Sequence, residues 1–344
     1  MKRILVTGGC GFLGHHFVEH ILKHTNLDVI VVDRLSYASM GFDRLRDIGV
    51  FDDSRVHRYV HDFSHPFTDG LIKEFGLVSF IAHMGAETHV DGSIRDPRPF
   101  VVANVVGTCE MLELARKLPE LERFFYFSTD EVFGPASAQS DGWGWDGRTC
   151  LPFVTYREWD RYNSTNPYAA TKAGGEELCL AYANTYGLPV VVTHCMNLFG
   201  ERQHPEKFIP NTIRKVLDGQ TVYIHSDASR TRAGSRYYLH ARNAADAILY
   251  LMESRHTGNR DKYNIVGQRE VDNLELAQLI AGYVDRPLHH EMVDFHSSRP
   301  GHDLRYALDG AKMAQLGWSA PVAFEASLEK TIKWFLANPR WLES

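Results

Sequence analysis

Residues 3–14, RILVTGGCGFLG, restrict the chain to a small set of folds. A short run of apolar and β-branched residues reaches glycines at positions 8, 11 and 14, and helical spacing begins at once behind them. Gly8 allows a tight strand-to-helix turn, Gly11 lets a ligand approach the backbone, and Gly14 lets the helix pack closely on the strand. The helix start is positively polarised and suits an anion such as a pyrophosphate. Nineteen residues past Gly14, a second apolar run ends at Asp33, placed to accept hydrogen bonds from a ribose 2′-hydroxyl and to repel a 2′-phosphate. The combination predicts a dinucleotide site with NAD favoured over NADP, although Arg34 beside the acid pulls the other way.

Strand-like runs recur at 28–32, 56–60, 78–83, 123–128 and 189–194, separated by helical spacing at 12–24, 67–75, 97–118 and 167–186. This alternation predicts an α/β fold of the Rossmann type, a doubly wound parallel sheet with helices on both faces. After about residue 195 the alternation loosens. Shorter strands at 222–225 and 263–266 stand among helices near 207–218, 241–254, 273–284 and 324–337. The expected division is a dinucleotide-binding domain over 1–195 and a smaller C-terminal substrate-binding lobe over 196–344, with some chain crossing back to the first domain. Residues 134–150, rich in Gly and Ser, read as a surface loop.

Composition excludes several functions. The net charge is −6 and no Lys/Arg cluster is long enough to track a phosphate backbone, which argues against a nucleic-acid partner. No stretch approaches the ~18 apolar residues of a membrane span, and the N-terminus runs directly into a strand rather than a signal-peptide pattern. Five cysteines (10, 109, 150, 179 and 195) are scattered without a C-x-x-C spacing, and 18 histidines form no ligand spacing. No metal site is expected, and a reducing, cytoplasmic setting fits.

Two further stretches carry chemistry. In NPYAATKAGGEEL, Asn166 is a good N-cap, Pro167 suits a first helical turn, and Tyr168 and Lys172 fall four residues apart on one helix face. An ammonium beside a phenol favours the phenolate, so Tyr168 is expected to serve as a base near neutral pH. Gly174 and Gly175 inside the helix imply close packing on that side. In FFYFSTDEVFG, an interior strand ends in Thr129, Asp130 and Glu131, and ligands of doubly wound sheets lie beyond such strand ends. An alcohol oxidation needs only a base and a hydride acceptor. Two additional carboxylates imply additional proton transfers.

The glycine turn, the Y-x-x-x-K pair and the upstream Ser/Thr resemble the extended short-chain dehydrogenases/reductases that act on nucleotide sugars. STDEVFG, MGAETHVDGSI, NPYAATKAGGEEL, PEKFIP and RPGHDLRYALD resemble, more narrowly, the dTDP-glucose 4,6-dehydratases, over residues 1 to about 337. The resemblance implies that Tyr168 takes the proton of the sugar C4 hydroxyl, Glu131 the C5 proton, and that protonated Asp130 donates to the leaving C6 hydroxyl. Thr129 would hold the C4 oxygen and Lys172 the nicotinamide ribose. Net redox change is zero, so NAD can stay bound.

Implied cofactor contacts begin at the glycine turn (Gly8, Gly11, Phe12, Leu13, Gly14) and continue beyond the second and third strands (Asp33, Arg34, Ser36, Asp62, Phe63). They continue past the fourth strand (Met84, Gly85, Ala86, Thr88) and end with Asn104, Tyr168, Lys172 and Cys195. Asn197, Lys207, Asn273, Arg299 and His302 match residues that contact a nucleoside-diphosphate hexose, as does Arg232, for which Arg236 could substitute because RTRAGSRYYLH departs from the family pattern. Gly92 and Leu198 are further departures. The base and the hexose are not legible. A 4-epimerase, decarboxylase or 4-dehydrogenase on the same scaffold, or a non-catalytic NAD-binding protein, stays open. Helices 97–118 and 167–186 would pair with a second copy in a four-helix bundle, giving a homodimer.

Overall fold

The computed structural model describes residues 2–136, 154–294 and 304–343. Its strands in chain order are β1 (Arg3–Thr7), β2 (Asp28–Asp33), β3 (Val56–Val60), β4 (Val78–His83), β5 (Arg123–Thr129), β6 (Val190–Cys195), β7 (Leu198–Phe199), β8 (Val222–Ser226), β9 (Ser235–Tyr237), β10 (Leu239–His240), β11 (Asp261–Ile265), β12 (Glu270–Asp272) and β13 (His290–Asp294). One seven-stranded sheet runs in the order β11-β6-β5-β4-β1-β2-β3, with every pairing parallel. Strand order reverses between β1 and β4, the crevice where doubly wound sheets hold ligands.

Both faces of the sheet are covered, which is why its strands read as near-continuous apolar runs rather than alternating ones. On one face Phe17, Val18 and Ile21 of the Phe12–His24 helix and Ala244, Ile248 and Leu251 of the Ala241–Glu253 helix pack with Ile4, Val6, Val29 and Val31. On the other, Met111, Leu112 and Ala115 of the Gly107–Arg116 helix and Cys179 of the Pro167–Tyr186 helix pack with Leu5, Ile30, Ile81 and Phe124. Successive strand residues serve opposite faces, as the period of two requires.

The strand read at 263–266 among the second-lobe elements is β11, the edge strand of the main sheet, with Tyr263 opposite Thr193 of β6. Its residues Lys262 to Ile265 are all buried, a pattern suited to a sheet covered on both sides. Other parts of the later chain build a second core. Ile209 and Ile213, Leu276 and Ile280, and Leu328 and Ile332 meet there from the Phe208–Leu217, Asn273–Val284 and Phe324–Ala337 helices, beside the parallel pair β8/β13.

The helix expected at 97–118 is interrupted. Arg98–Val101 and Gly107–Arg116 are α-helical, but Val102–Val106 is wound as a π-helix. At its centre Asn104 donates to Thr171 Oγ1 (3.0 Å) and to Glu87 O (3.0 Å), and Thr108 Oγ1 donates to Asn104 O (2.7 Å). These side-chain bonds accompany the looser winding, which is often found near functional sites.

The Pro167–Tyr186 helix starts and stops as its sequence predicts: the Asn166 side chain accepts from Ala169 N (2.8 Å), and Gly187 ends it at φ +72°. Only one of its two glycines is sterically required. A Cβ at Gly175 would lie 2.4 Å from Tyr126 Oη and 2.6 Å from Asn104 O, whereas one at Gly174 would meet Val105 Cγ2 at 3.4 Å. Gly175→Ala is therefore expected to cost about 1–3 kcal/mol through overpacking, and Gly174→Ala to be neutral or to gain up to ~1 kcal/mol of helix propensity. Urea unfolding of the two variants checks the contrast.

Candidate active site

The carboxyl ends of β1, β2, β4, β5 and β6 open onto one cavity of about 400 Å³. At one end lies the glycine turn. A Cβ at Gly14 would stand 2.1 Å from Gly8 O, and one at Gly8, whose φ is +66°, would stand 2.8 Å from Gly85 Cα. Only glycine makes this cradle, and it leaves the backbone open to a pyrophosphate, so the residues present fit a bound dinucleotide. Asp33 is anchored beside it, accepting from Cys10 N (3.0 Å) and Leu35 N (2.8 Å).

From the predicted set, Gly8, Gly11, Phe12, Leu13, Gly14, Asp33, Arg34, Ser36, Phe63, Met84, Gly85, Ala86, Thr88 and Cys195 line this cavity. So do Thr129, Asp130, Glu131, Tyr168, Lys172, Asn197 and Lys207. Four do not. Asn104 braces the wall from behind through Glu87 and Thr171; Asp62 accepts from Ser64 and faces Arg34. Asn273 accepts a hydrogen bond from the lining residue Tyr238 (2.8 Å). Arg232 is exposed, its N–H donating to Asp227 Oδ1 in a surface turn. Arg236 is buried instead, with its guanidinium 4.5 Å from the Tyr306 ring and its charge acting on Asp130. Arg299 and His302 lie outside the described residues, as does Cys150.

The acid pair sits where β5 ends. Thr129 Oγ1 donates to Asp130 Oδ1 (3.0 Å) and accepts from Glu131 N (3.3 Å), while Glu131 Oε2 accepts from Asn166 Nδ2 (2.9 Å). Asp130 Oδ2 is buried with no hydrogen-bond partner among the described residues. Burial pushes the Asp130 carboxyl up to about 6, against the opposing charge of Arg236 and the Thr129 hydrogen bond. Burial thus favours the protonated form of Asp130.

Lys172 and Tyr168 are both buried in the cavity wall. Lys172 Nζ lies 4.3 Å from the centre of the Tyr126 ring, and burial lowers its pKa to about 7. Burial raises the Tyr168 phenol well above its ordinary value, the Glu131 and Asp130 charges add to this, and the Thr129 side chain opposes them. Desolvation outweighs the neighbouring ammonium because that ammonium is itself desolvated.

Several residues were not singled out from the sequence. His83 accepts from Thr7 Oγ1 (2.8 Å) and donates to Thr108 Oγ1 (3.1 Å); this tautomer follows from Thr7 accepting from Gly85 N and Thr108 donating to Asn104 O. Burial, aided by the Lys172 charge, lowers its pKa to about 3, keeping it neutral. Its place at the carboxyl end of β4 was a legible signal. Arg44, fully buried, donates to the carbonyls of Cys10, Ala38, Ser39 and Arg202. Nothing local announces it, since its partners come from three separate loops.

A doubly wound sheet with a glycine cradle at its switch point and a Tyr/Lys pair one helical turn apart defines an extended short-chain dehydrogenase/reductase. The chain belongs to the NAD dependent epimerase/dehydratase family, whose model matches residues 4–266. It is similar to the dTDP-glucose 4,6-dehydratases of Salmonella typhimurium (34% identical, covering 99% of this chain and 95% of the relative) and Neisseria meningitidis (33%, covering 100% and 96%). Among solved structures it resembles the dTDP-glucose 4,6-dehydratase of Streptomyces venezuelae, which was crystallised with NAD (TM-score 0.84, 32% identity, covering 100% and 99%). The UDP-glucuronic acid 4-epimerase of Bacillus cereus shares the fold (TM-score 0.82, 22% identity, covering 98% and 100%).

Proposed function

We propose that the protein is an NAD-dependent nucleotide-sugar 4,6-dehydratase, a hydro-lyase converting a dTDP-glucose-like NDP-hexose to its 4-keto-6-deoxy product. The observation that carries this is the meeting, in one cavity, of Tyr168 and Lys172 with the Thr129, Asp130, Glu131 triplet, next to the glycine cradle. Full-length similarity to dehydratases supports it.

NAD, when held by the glycine cradle and Asp33, would supply a reversible hydride acceptor for the C4 and C6 carbons of the sugar. Tyr168 takes the C4 hydroxyl proton, and Thr129 holds the oxygen. Oxidation at C4 acidifies the C5 proton, which Glu131, held by a hydrogen bond from Asn166 Nδ2, removes and gives back to C5 when hydride reaches C6. Asp130 in its acid form protonates the departing C6 hydroxyl. Lys172 holds the nicotinamide ribose. Residues 1–195 chiefly carry the dinucleotide; Asn197, Lys207, Asn273, Arg299, His302 and Arg236, rather than Arg232, hold the nucleoside diphosphate. Arginine suits a pyrophosphate through paired hydrogen bonds.

Incubation with a panel of NDP-hexoses tests the reading. A 4-keto-6-deoxy product is expected; a C4 epimer or no conversion would overturn it. We also propose a cytoplasmic homodimer, paired through the helices around Arg98–Arg116 and Pro167–Tyr186. Its support is the apolar surface at Val101, Val102, Val106 and Tyr186, between 42% and 49% exposed. Light scattering is expected to return twice the chain mass. Among the described residues no helix is long and apolar enough to cross a membrane.

A further inference from the structure

Arg34 follows Asp33 directly and lines the dinucleotide end of the cavity. An arginine in that place is the residue type that would grip a 2′-phosphate, because its planar fork matches phosphate oxygens. Here the fork is already engaged. Nη2 donates to Glu87 Oε1, and Nη1 faces Asp62 Oδ2 at 3.5 Å. The Glu87 backbone and the Asp62 carboxylate are held from behind. The Glu87 backbone is pinned through its N–H to Asn104 Oδ1 (2.9 Å) and through its carbonyl to Asn104 Nδ2 (3.0 Å). Asp62 Oδ1 accepts from Ser64 N (2.9 Å) and Ser64 Oγ (2.8 Å), leaving Oδ2 toward Arg34.

The other cation lining this end, Arg44, holds four backbone carbonyls through Nε and Nη1, while its Nη2 is buried with no hydrogen-bond partner among the described residues. A 2′-phosphate arriving here would meet Asp33 and would have to take Arg34 from two carboxylates, one of them anchored by Ser64. Like charges at short range oppose that exchange.

We infer that Glu87, with Asp62, is a determinant of coenzyme selectivity: it captures Arg34 and so denies a 2′-phosphate its natural partner. The inference rests on the reading of the cavity as a dinucleotide site and adds a second device to the repulsion by Asp33. Removal of Asp33 alone should then leave NADP poorly bound.

The test is a double-mutant cycle on the full-length protein freed of bound coenzyme. NADH and NADPH affinities are read from nicotinamide fluorescence in the wild type, Asp33→Asn, Glu87→Gln, Asp33→Asn/Glu87→Gln, and that double variant with Arg34→Met added. The double variant is expected to improve the NADPH-to-NADH affinity ratio by about tenfold beyond the product of the two single changes, since a charge-assisted phosphate contact becomes available. Adding Arg34→Met is expected to abolish the gain. NADH binding by each variant reports that it is folded, and NADH binding by the wild type tests the underlying dinucleotide reading separately. A wild type that binds NADPH as well as NADH, a double variant with no gain beyond that product, or a gain that survives Arg34→Met would each overturn the inference. Failure of the wild type to bind either coenzyme would overturn the dinucleotide reading with it.

Discussion

In Asp130→Asn, addition of the NDP-hexose is expected to produce a lasting rise in reduced-nicotinamide absorbance while loss of the C6 hydroxyl slows by about 10²–10⁴-fold, the usual range for a lost general acid. The base at the C4 hydroxyl is untouched, so oxidation proceeds. What is missing is the proton for the leaving oxygen. Asp130 is suited to supply it because its carboxyl is buried, one oxygen is fixed by Thr129, and the other has no partner among the described residues. With its pKa raised to about 6 by burial, the acid form thins roughly tenfold per pH unit above that value. The wild-type rate of water loss should therefore decline on the alkaline side, and this limb should vanish in the variant.

The same group is expected to affect stability. An unfolded aspartate ionises near its ordinary value of 3.8, whereas in the folded chain Asp130 ionises at about 6. Between those values the folded state binds more protons than the unfolded one, so stability falls as pH rises through the window and stays lower above it. Asp130→Asn is accordingly expected to be more stable than the wild type at pH 8, by up to about 3 kcal/mol, with the difference shrinking toward pH 4. Urea unfolding at the two pH values checks it. A variant with wild-type dehydration rates would remove Asp130 from the reaction.

Tyr168→Phe should fail one step earlier. Turnover is expected to drop by at least ~10³-fold, with no rise in reduced-nicotinamide absorbance when sugar is added, because no base remains to take the C4 hydroxyl proton. Coenzyme affinity should change little, since the glycine cradle and Asp33 are unaltered. The two variants thus separate by one observable: reduced coenzyme accumulates in Asp130→Asn and never forms in Tyr168→Phe. If Tyr168→Phe accumulated it, another group would be the base.

The elements that hold the site were legible wherever a local pattern decides the local conformation. Gly8, Gly11 and Gly14 between an apolar run and a helical one specify a turn that few other sequences make, and Asn166, Pro167 and Gly187 mark the ends of the Tyr168 helix because caps depend on adjacent backbone groups. The carboxylates after β5 could be assigned to the cavity because the ends of parallel strands share one edge.

Long-range packing decided the rest. The strand at 261–265 belongs to the main sheet because both its faces are buried against distant helices, and no pattern within five residues names its neighbour. The ionisation of Tyr168, Lys172 and Asp130 follows from how far the surrounding chain excludes water, so spacing along a helix predicted a neighbouring charge but not its desolvation. The burial of Arg236, the exposure of Arg232 and the contacts of Arg34 with Glu87 and Asp62 arise only from residues brought together from separate loops. The sequence by itself determined which chemical groups stand at the strand ends; burial and distant partners, which exist only in the folded chain, decided their charge and their company.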